Sequence, residues 1–145
     1  MLEELDLREY VTMAGERPRR EIISAYREAD LFALTPFVTD DGDRDGIPNV
    51  IIEAMASGLP VVTTAAGGIP ELVTPGVDGL VARPHDVEGI AARLAALLDD
   101  AALRRRLGSA GRATVEQRFD LRRSAEELAT LFGVVPERKP CASSI

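Results

Sequence analysis

The stretch from residue 45 to residue 64 constrains the fold most, because it predicts a loop, a helix, a tight turn and a buried strand in immediate succession. Pro48 suits the first turn of a helix, where no backbone N–H partner is needed. Apolar residues recur after it at helical spacing, until Gly58 ends the helix and Pro60 prevents its continuation. The β-branched run at 61–64 then predicts a short buried strand.

The rest of the chain alternates helices and strands in the same way. Short apolar runs predict further strands at 10–14, 31–34 and 79–82. Helical spacing predicts helices at 18–29, 70–73, 87–98, 101–118 and 121–132, after the end of a helix at 2–8. This alternation indicates an α/β fold with a Rossmann-like parallel sheet flanked by helices. Ligands bind such sheets outside the carboxyl ends of the strands, where we place the loops at 15–18, 35–48, 64–70 and 82–85.

Two of the predicted helices carry a clear apolar face. In the helix at 18–29 this face is formed by Ile22, Ile23, Tyr26 and Ala29. In the helix at 87–98, for which Asp86 is the expected N-cap, the inward residues are Ile90, Leu94, Leu97 and Leu98. Residues 133–145 have no periodicity, and we expect a flexible tail there. The prediction is therefore one domain at 1–132 followed by this tail.

Composition narrows the classes of partner. The chain has 145 residues, of which 46% are hydrophobic and 28% charged, as is ordinary for a globular protein with one core. A net charge of −7 argues against nucleic acid or an anionic membrane as the main partner. The single cysteine, Cys141, excludes an internal disulfide and favours a reducing, cytoplasmic compartment. We find no signal-peptide pattern at the start and no apolar run of roughly 20 residues.

The most suggestive chemical feature is a pair of carboxylates, Asp45 just before the central helix and Glu53 within it. The helix start between them offers free N–H groups and the positive end of the dipole, which favour a phosphate or another anion. A carboxylate on the same helix accepts hydrogen bonds well from a vicinal diol such as ribose. From the spacing alone, an acid near a helix dipole together with a solvent-exposed glutamate is the more common explanation of the pattern, because acids near helix starts are frequent.

The residues around this pair carry a more specific signature. Asp45-Gly46 is followed by Glu-Ala-Met-Ala-Ser-Gly-Leu-Pro-Val-Val at 53–62, and further matching segments lie at 67–73 and 76–81. Together they resemble the glutamate-x7-glutamate motif and the flanking segments of the C-terminal domain of retaining glycosyltransferases of family 4, which have the GT-B fold. Asp45 departs from the motif, since glutamate is commoner there. The resemblance covers nearly all of residues 3–132.

The resemblance implies a binding site for a nucleotide-diphosphate sugar, between two Rossmann-like domains. Glu53 would bind the ribose hydroxyls, and Asp45 would face the transferred sugar as the catalytic residue. Further donor-binding positions would be Gly46, Ile47, Pro48, Asn49, Val50, Gly67, Gly68 and Glu71. Transfer would retain the anomeric configuration, with no bound metal and no cofactor besides the donor substrate. The family also suggests a polysaccharide or glycoconjugate as the product.

The resemblance also implies missing parts. Family members carry two earlier strands in this domain, with an arginine and a lysine that neutralise the diphosphate, and a separate N-terminal domain that binds the acceptor. We therefore expect a donor-binding fragment that lacks transferase activity alone. Because the missing strands would separate 10–14 from 31–34, we expect a rearranged or borrowed pairing for 10–14, for instance in a homodimer through exposed strand edges.

Other interpretations of the same residues stay open. The acidic loop at 41–46 matches the first half of an EF-hand, but position 12 of that loop would be Ile52 rather than a glutamate. A looser cation site in an interaction domain, or a noncatalytic nucleotide- or sugar-binding module, remains possible. Gly67-Gly68 could cradle phosphate or simply form a tight turn. Glu71 could cap a helix start, His85 could be a plain loop residue, and the arginines at 104–106 could form a solvated face.

Overall fold

The computed structural model of the chain describes residues 2–38 and 46–134. Three strands and six helices make up this part of the chain. In order they are α1 (Arg19–Glu28), β1 (Phe32–Leu34), α2 (Asn49–Ala56), β2 (Val61–Thr64), α3 (Ile69–Leu72), β3 (Leu80–Ala82), α4 (Val87–Asp99), α5 (Ala101–Arg118) and α6 (Leu121–Leu131). No helix in these ranges is both long enough and apolar enough to cross a membrane. The segments 39–45 and 135–145 lie outside the described residues, and so do the predictions made for Asp45, Cys141 and most of the tail.

The three strands form one parallel sheet in the order β1-β2-β3. Phe32 pairs with Val61, and Val62 pairs with Leu80. Every residue of β2 is buried, as expected for a central strand with helices on both faces. The predicted class, α/β with a parallel sheet flanked by helices, is confirmed.

Two apolar clusters cover the two faces of the sheet. Val61 belongs to a cluster with Ile51 and Met55 of α2, whereas its neighbour Val62 packs with Leu97 of α4 and Leu107 of α5. This division follows from the strand geometry, in which successive side chains point to opposite faces. The C-terminal half of α5 reaches the first cluster through Val115. Helix α5 therefore contributes to both faces.

Two glycines allow α5 to approach the neighbouring backbone. A Cβ on Gly108 would overlap the carbonyl oxygen of Gly58, in the turn between α2 and β2. A Cβ on Gly111 would lie 3.1 Å from the carbonyl oxygen of Asp78 and 3.4 Å from Cε of Met55. Nothing in the sequence pattern that predicts the helix at 101–118 indicates a role for these two glycines.

Residues 10–14, which we predicted as a strand, form no strand in the structure. Tyr10 and Met13 are 81% and 80% exposed, and the residues before them form turns rather than the end of a helix. A strand needs a partner for its backbone N–H and C=O groups. Among the described residues no strand lies beyond β1 to supply one. The strand prediction is wrong for the chain alone, and its pairing with a second copy stays a prediction.

The apolar face of α1 is buried less than we predicted. Tyr26 is buried and meets Phe32 edge-on, with ring centroids 5.9 Å apart. Ile22 and Ile23 are each 37% exposed, because within the described residues no sheet extends beyond β1 to cover them. The prediction that Leu98 points inward is also wrong, since its side chain lies mostly in solvent. Asp86 caps α4 as predicted, accepting the N–H of Gly89 at 2.8 Å.

The two threonines of β2 are both fully buried but differ in hydrogen bonding. Thr64 Oγ1 donates to the carbonyl oxygen of Pro36, whereas Thr63 Oγ1 has no partner in the described part of the chain. A buried hydroxyl without a partner keeps its full cost of desolvation. We expect Thr63→Val, which replaces that hydroxyl with a methyl group of similar size, to raise the free energy of unfolding by about 1 kcal/mol.

Thr64→Val is the matched control, because it leaves the Pro36 carbonyl without its donor and should lower the free energy of unfolding by about 1–2 kcal/mol. Urea unfolding of both variants, followed by circular dichroism, measures the difference. A loss of stability in Thr63→Val equal to that in Thr64→Val would mean that Thr63 has a hydrogen-bond partner in solution.

Candidate functional site

The loops that follow the three strands meet at the carboxyl edge of the sheet. Residues after β1, before α2 and after β2 enclose a small cavity there, lined by Pro36, Phe37, Val38, Gly46, Pro48, Ala66, Gly67 and Ile69. Its volume is about 40 Å³, far below the few hundred Å³ of a typical small-molecule pocket. At this edge the described residues therefore form an open wall rather than a closed pocket.

A close contact between two glycines fixes the geometry of this wall. The N–H of Gly68 donates to the carbonyl oxygen of Gly46 at 3.0 Å. A Cβ on Gly68 would lie 2.9 Å from Cγ1 of Ile47, so this position needs the absence of a side chain. Gly67 has φ of 54°, a left-handed conformation that glycine adopts without strain. The predicted turn at Gly67-Gly68 is present, and it holds the loop that precedes α2.

The N-terminus of α2 opens at the same edge. Pro48 is its N-cap and provides no side-chain cap, and the first turn contains no acidic residue. The N–H of Ile51 donates to the carbonyl of Pro48 at 3.0 Å. The N–H groups of Asn49 and Val50 belong to the first turn, where a helix offers them no acceptor of its own. Such a helix start, with the positive end of its dipole, suits an anionic group.

Glu53 lies one turn further along α2, where its side chain is 34% exposed. Its Oε1 lies 3.3 Å from Nη1 of Arg19, and its Oε2 accepts a long, 3.5 Å hydrogen bond from the hydroxyl of Tyr26. Burial raises the pKa of the Tyr26 hydroxyl, and the adjacent Glu53 carboxylate raises it further. Since a carboxylate has about four acceptor positions, these contacts leave Glu53 able to accept hydrogen bonds from a ligand.

Neither partner of Glu53 could be predicted from the sequence. Tyr26 belongs to the apolar face of α1 as predicted, but nothing in the spacing indicates its contact with Glu53. Arg19 is one of several arginines near the start of α1 and has no distinguishing pattern. Only the packing of α1 beside α2 brings these side chains together.

Glu71 lies on α3, just after the glycine turn. Its N–H donates to the carbonyl of Gly68 at 3.0 Å, and its carbonyl accepts from Nη2 of Arg118 at 2.6 Å. The side chain itself is exposed. The backbone of Glu71 thus ties α3 to the turn and to α5, while its carboxylate faces solvent near the candidate site.

An aromatic contact crosses the edge of the sheet. The ring of Phe37, in the loop after β1, lies 4.7 Å from the ring of His85, in the loop after β3. His85 has φ of 63°, a conformation that is uncommon for residues other than glycine. The sequence analysis placed His85 in a loop, which is correct, but missed its contact with Phe37.

Within residues 2–38 and 46–134, no cluster of three or more His, Cys, Asp or Glu side chains could hold a metal ion. The acidic loop considered as a cation site lies outside these residues except for Gly46. The catalytic role of Asp45 and the cation site therefore stay sequence predictions.

Comparison with known proteins gives a consistent result. Residues 1–114 match the family model described as glycosyl transferases group 1. The amylovoran biosynthesis glycosyltransferase AmsK of Erwinia amylovora is 39% identical over 127 residues, which cover 88% of this chain and 31% of that protein. A GDP-mannose-dependent mannosyltransferase of Corynebacterium glutamicum, which acts on a monoacylated phosphatidylinositol monomannoside, is 35% identical over 132 residues, which cover 90% of this chain and 34% of that protein.

The fold has close counterparts among solved structures. The Anabaena protein HepE in complex with UDP and glucose superposes with a TM-score of 0.81 and 29% identity, over 91% of this chain and 34% of HepE. The matched part of the chain thus spans about a third of the length of each of these three proteins. Because the family model matches about four-fifths of the chain and the fold agrees with that of HepE, the chain belongs to the group 1 glycosyl transferases.

Proposed function

We propose that this chain binds the nucleotide-diphosphate-sugar donor of a retaining glycosyltransferase of family 4. The observation that carries the proposal is the hydrogen bond from the Gly68 N–H to the Gly46 carbonyl. This bond holds the open start of α2 beside the glycine turn, with Glu53 one turn further along the same helix. An anion site and a diol site therefore lie at a spacing that suits a nucleotide diphosphate. The UDP bound in HepE supports this assignment.

Each part of the site has a proposed partner on the donor. Glu53 accepts the two ribose hydroxyls, and the N–H groups of Asn49 and Val50 face the diphosphate. The N–H of Gly68 is already bonded to Gly46, so Gly68 acts by shaping the turn rather than by donating to phosphate. Glu71, whose carboxylate is exposed beside this turn, remains available to hydroxyl groups of the sugar.

Asp45 directly precedes Gly46, and we propose that its carboxylate faces the transferred sugar. A fixed negative charge there stabilises the positive charge that develops on the sugar ring as the bond to the diphosphate breaks. Transfer then retains the anomeric configuration and needs no bound metal. The hexosyl group passes to a glycan or glycoconjugate acceptor. The role of AmsK in amylovoran biosynthesis supports this part of the proposal.

The acceptor side belongs, in this proposal, to a separate N-terminal domain. The chain alone would then bind donor without turnover, in the cytoplasm where nucleotide sugars are made. The uncovered outer edge of β1 would pair with the first strands of a complete domain or, in their absence, with a second copy of the chain.

The test is an NMR titration of the isotope-labelled chain with UDP, GDP and calcium in turn. We expect one nucleotide to shift the amide signals of residues 46–53 and 67–68, because these residues surround the α2 start. No response to either nucleotide would contradict the donor site. Shifts confined to residues 40–46 with calcium would favour a cation-binding domain instead, and sugar transfer by the purified chain would contradict the need for a second domain.

A further inference from the structure

His85 occupies a backbone position at which glycine would be less strained. Its φ of 63° belongs to the turn between β3 and α4, where the Asp86 N–H donates to the Arg83 carbonyl at 3.2 Å. The turn explains the positive φ, since it brings Asp86 into place to cap α4. It does not explain the imidazole, because glycine meets the same φ without strain. Strained backbone positions cluster at functional sites, and this one lies at the carboxyl edge of the sheet, where the candidate site is.

The imidazole contacts the ring of Phe37 across the end of β2. The two centroids are 4.7 Å apart and the ring planes are inclined by 49°, within the range of favourable aromatic pairs. Phe37 lines the cavity at the start of α2 and is the one aromatic residue among the described residues that line it. Its side chain is 52% exposed, so the contact with His85 restricts a ring that otherwise faces solvent.

We infer that His85 is a positioning residue that holds Phe37 at the mouth of this cavity, where the Phe37 ring packs against the sugar of the bound donor. This inference rests on the proposed donor site and extends it to the sugar. Glu53 takes the ribose one turn further along α2, so the cavity between Gly46 and Gly67 meets the other end of the donor. A diphosphate is repelled by the negative face of an aromatic ring. The C–H face of a sugar ring is apolar and suits it.

The test compares the affinities of a nucleoside diphosphate with and without the attached sugar. UDP and UDP-glucose, or GDP and GDP-mannose if the chain prefers guanine, are titrated by calorimetry into the complete chain and into His85→Gly, Phe37→Ala and the double variant. We expect His85→Gly to weaken the binding of the nucleotide sugar about threefold to tenfold, which is the effect of losing one aromatic contact. The affinity of His85→Gly for the free nucleotide should not change. The double variant should lose no more affinity for the nucleotide sugar than Phe37→Ala alone, because His85 acts through Phe37.

Stability separates positioning from a purely structural role. His85→Gly removes the strain at φ of 63°, so its melting temperature should equal or exceed that of the wild type. An unchanged affinity of His85→Gly for the nucleotide sugar, or an equal loss for sugar-bearing and free nucleotide, would overturn the inference.

The same titrations distinguish this failure from failure of the donor site. If the wild type binds UDP or GDP while His85→Gly matches it for every ligand, only the positioning role is overturned. If the wild type binds neither nucleotide, the donor site is overturned and the role of His85 with it.

Discussion

Replacing Gly108 with alanine should lower the free energy of unfolding by about 3 kcal/mol, at the upper end of the cost of overpacking a core. The added Cβ would overlap the carbonyl oxygen of Gly58, which belongs to the backbone between α2 and β2 and cannot turn aside as a side chain could. Helix α5 would have to move away from both α2 and the sheet. The higher helix propensity of alanine, worth about 1 kcal/mol, offsets only part of this cost.

Gly111→Ala is the matched control on the same helix. It gains the same helix propensity, but its Cβ would lie 3.1 Å from the nearest atom, the carbonyl oxygen of Asp78. We expect it to cost clearly less than Gly108→Ala when both are unfolded in urea. Equal stabilities of Gly108→Ala and the wild type would mean that α5 does not approach Gly58 as closely as described.

Replacing Glu53 with glutamine should weaken UDP or GDP binding about 100-fold, because two hydrogen bonds from the ribose to a charged acceptor are lost or weakened. Glutamine keeps the shape of the side chain but offers one oxygen acceptor and no charge. Stability should change by less than about 1 kcal/mol, since the Arg19 side chain of the ion pair is 78% exposed and solvent screens its charge. Calorimetric titration measures the affinity.

Two controls isolate the diol. Arg19→Gln removes the charged partner of Glu53 without removing the carboxylate, and it should leave most of the affinity for the nucleotide intact. The 2′-deoxy form of the nucleotide should bind the wild type more weakly than the ribose form, and Glu53→Gln should not distinguish the two. A Glu53→Gln variant that binds both forms as the wild type does would rule out this carboxylate as the ribose contact.

The parts of the fold that the sequence predicted well are marked by local chemistry. Pro48, Gly58 and Pro60 delimit α2, and the β-branched run after them forms β2 at the predicted residues. Asp86 caps α4 because a carboxylate three residues before an N–H can reach it at any exposed helix start. These signals depend on residues close in the chain, so they hold whatever surrounds them.

The errors arose where the outcome depends on distant residues. Residues 10–14 have the composition of a strand, but a strand also needs a neighbour, and composition does not reveal whether one is present. Glycine has a low helix propensity, so Gly108 is unfavourable within a helix when the sequence is considered alone. The close approach of α5 to Gly58 explains why a residue without a side chain is needed there. Thr63 and Thr64 look alike in sequence, yet only Thr64 finds an acceptor.

The candidate site divides in the same way. Glu53 and the glycine turn follow from the resemblance of 45–81 to a known motif. The positive φ of Gly67 and the close approach of Ile47 to Gly68 explain why the turn has two glycines. The contacts of Glu53 with Arg19 and of Phe37 with His85 join loops and helices far apart in the chain. No periodicity or spacing could have indicated them.

Helix α5 places Leu107 against one face of the sheet and Val115 against the other. Detaching this helix would uncover both clusters at once, so we expect the two faces of the sheet to lose their cover together. With three strands in the described part of the sheet, such a shared helix favours cooperative folding and disfavours partly opened states that expose an apolar face to other molecules.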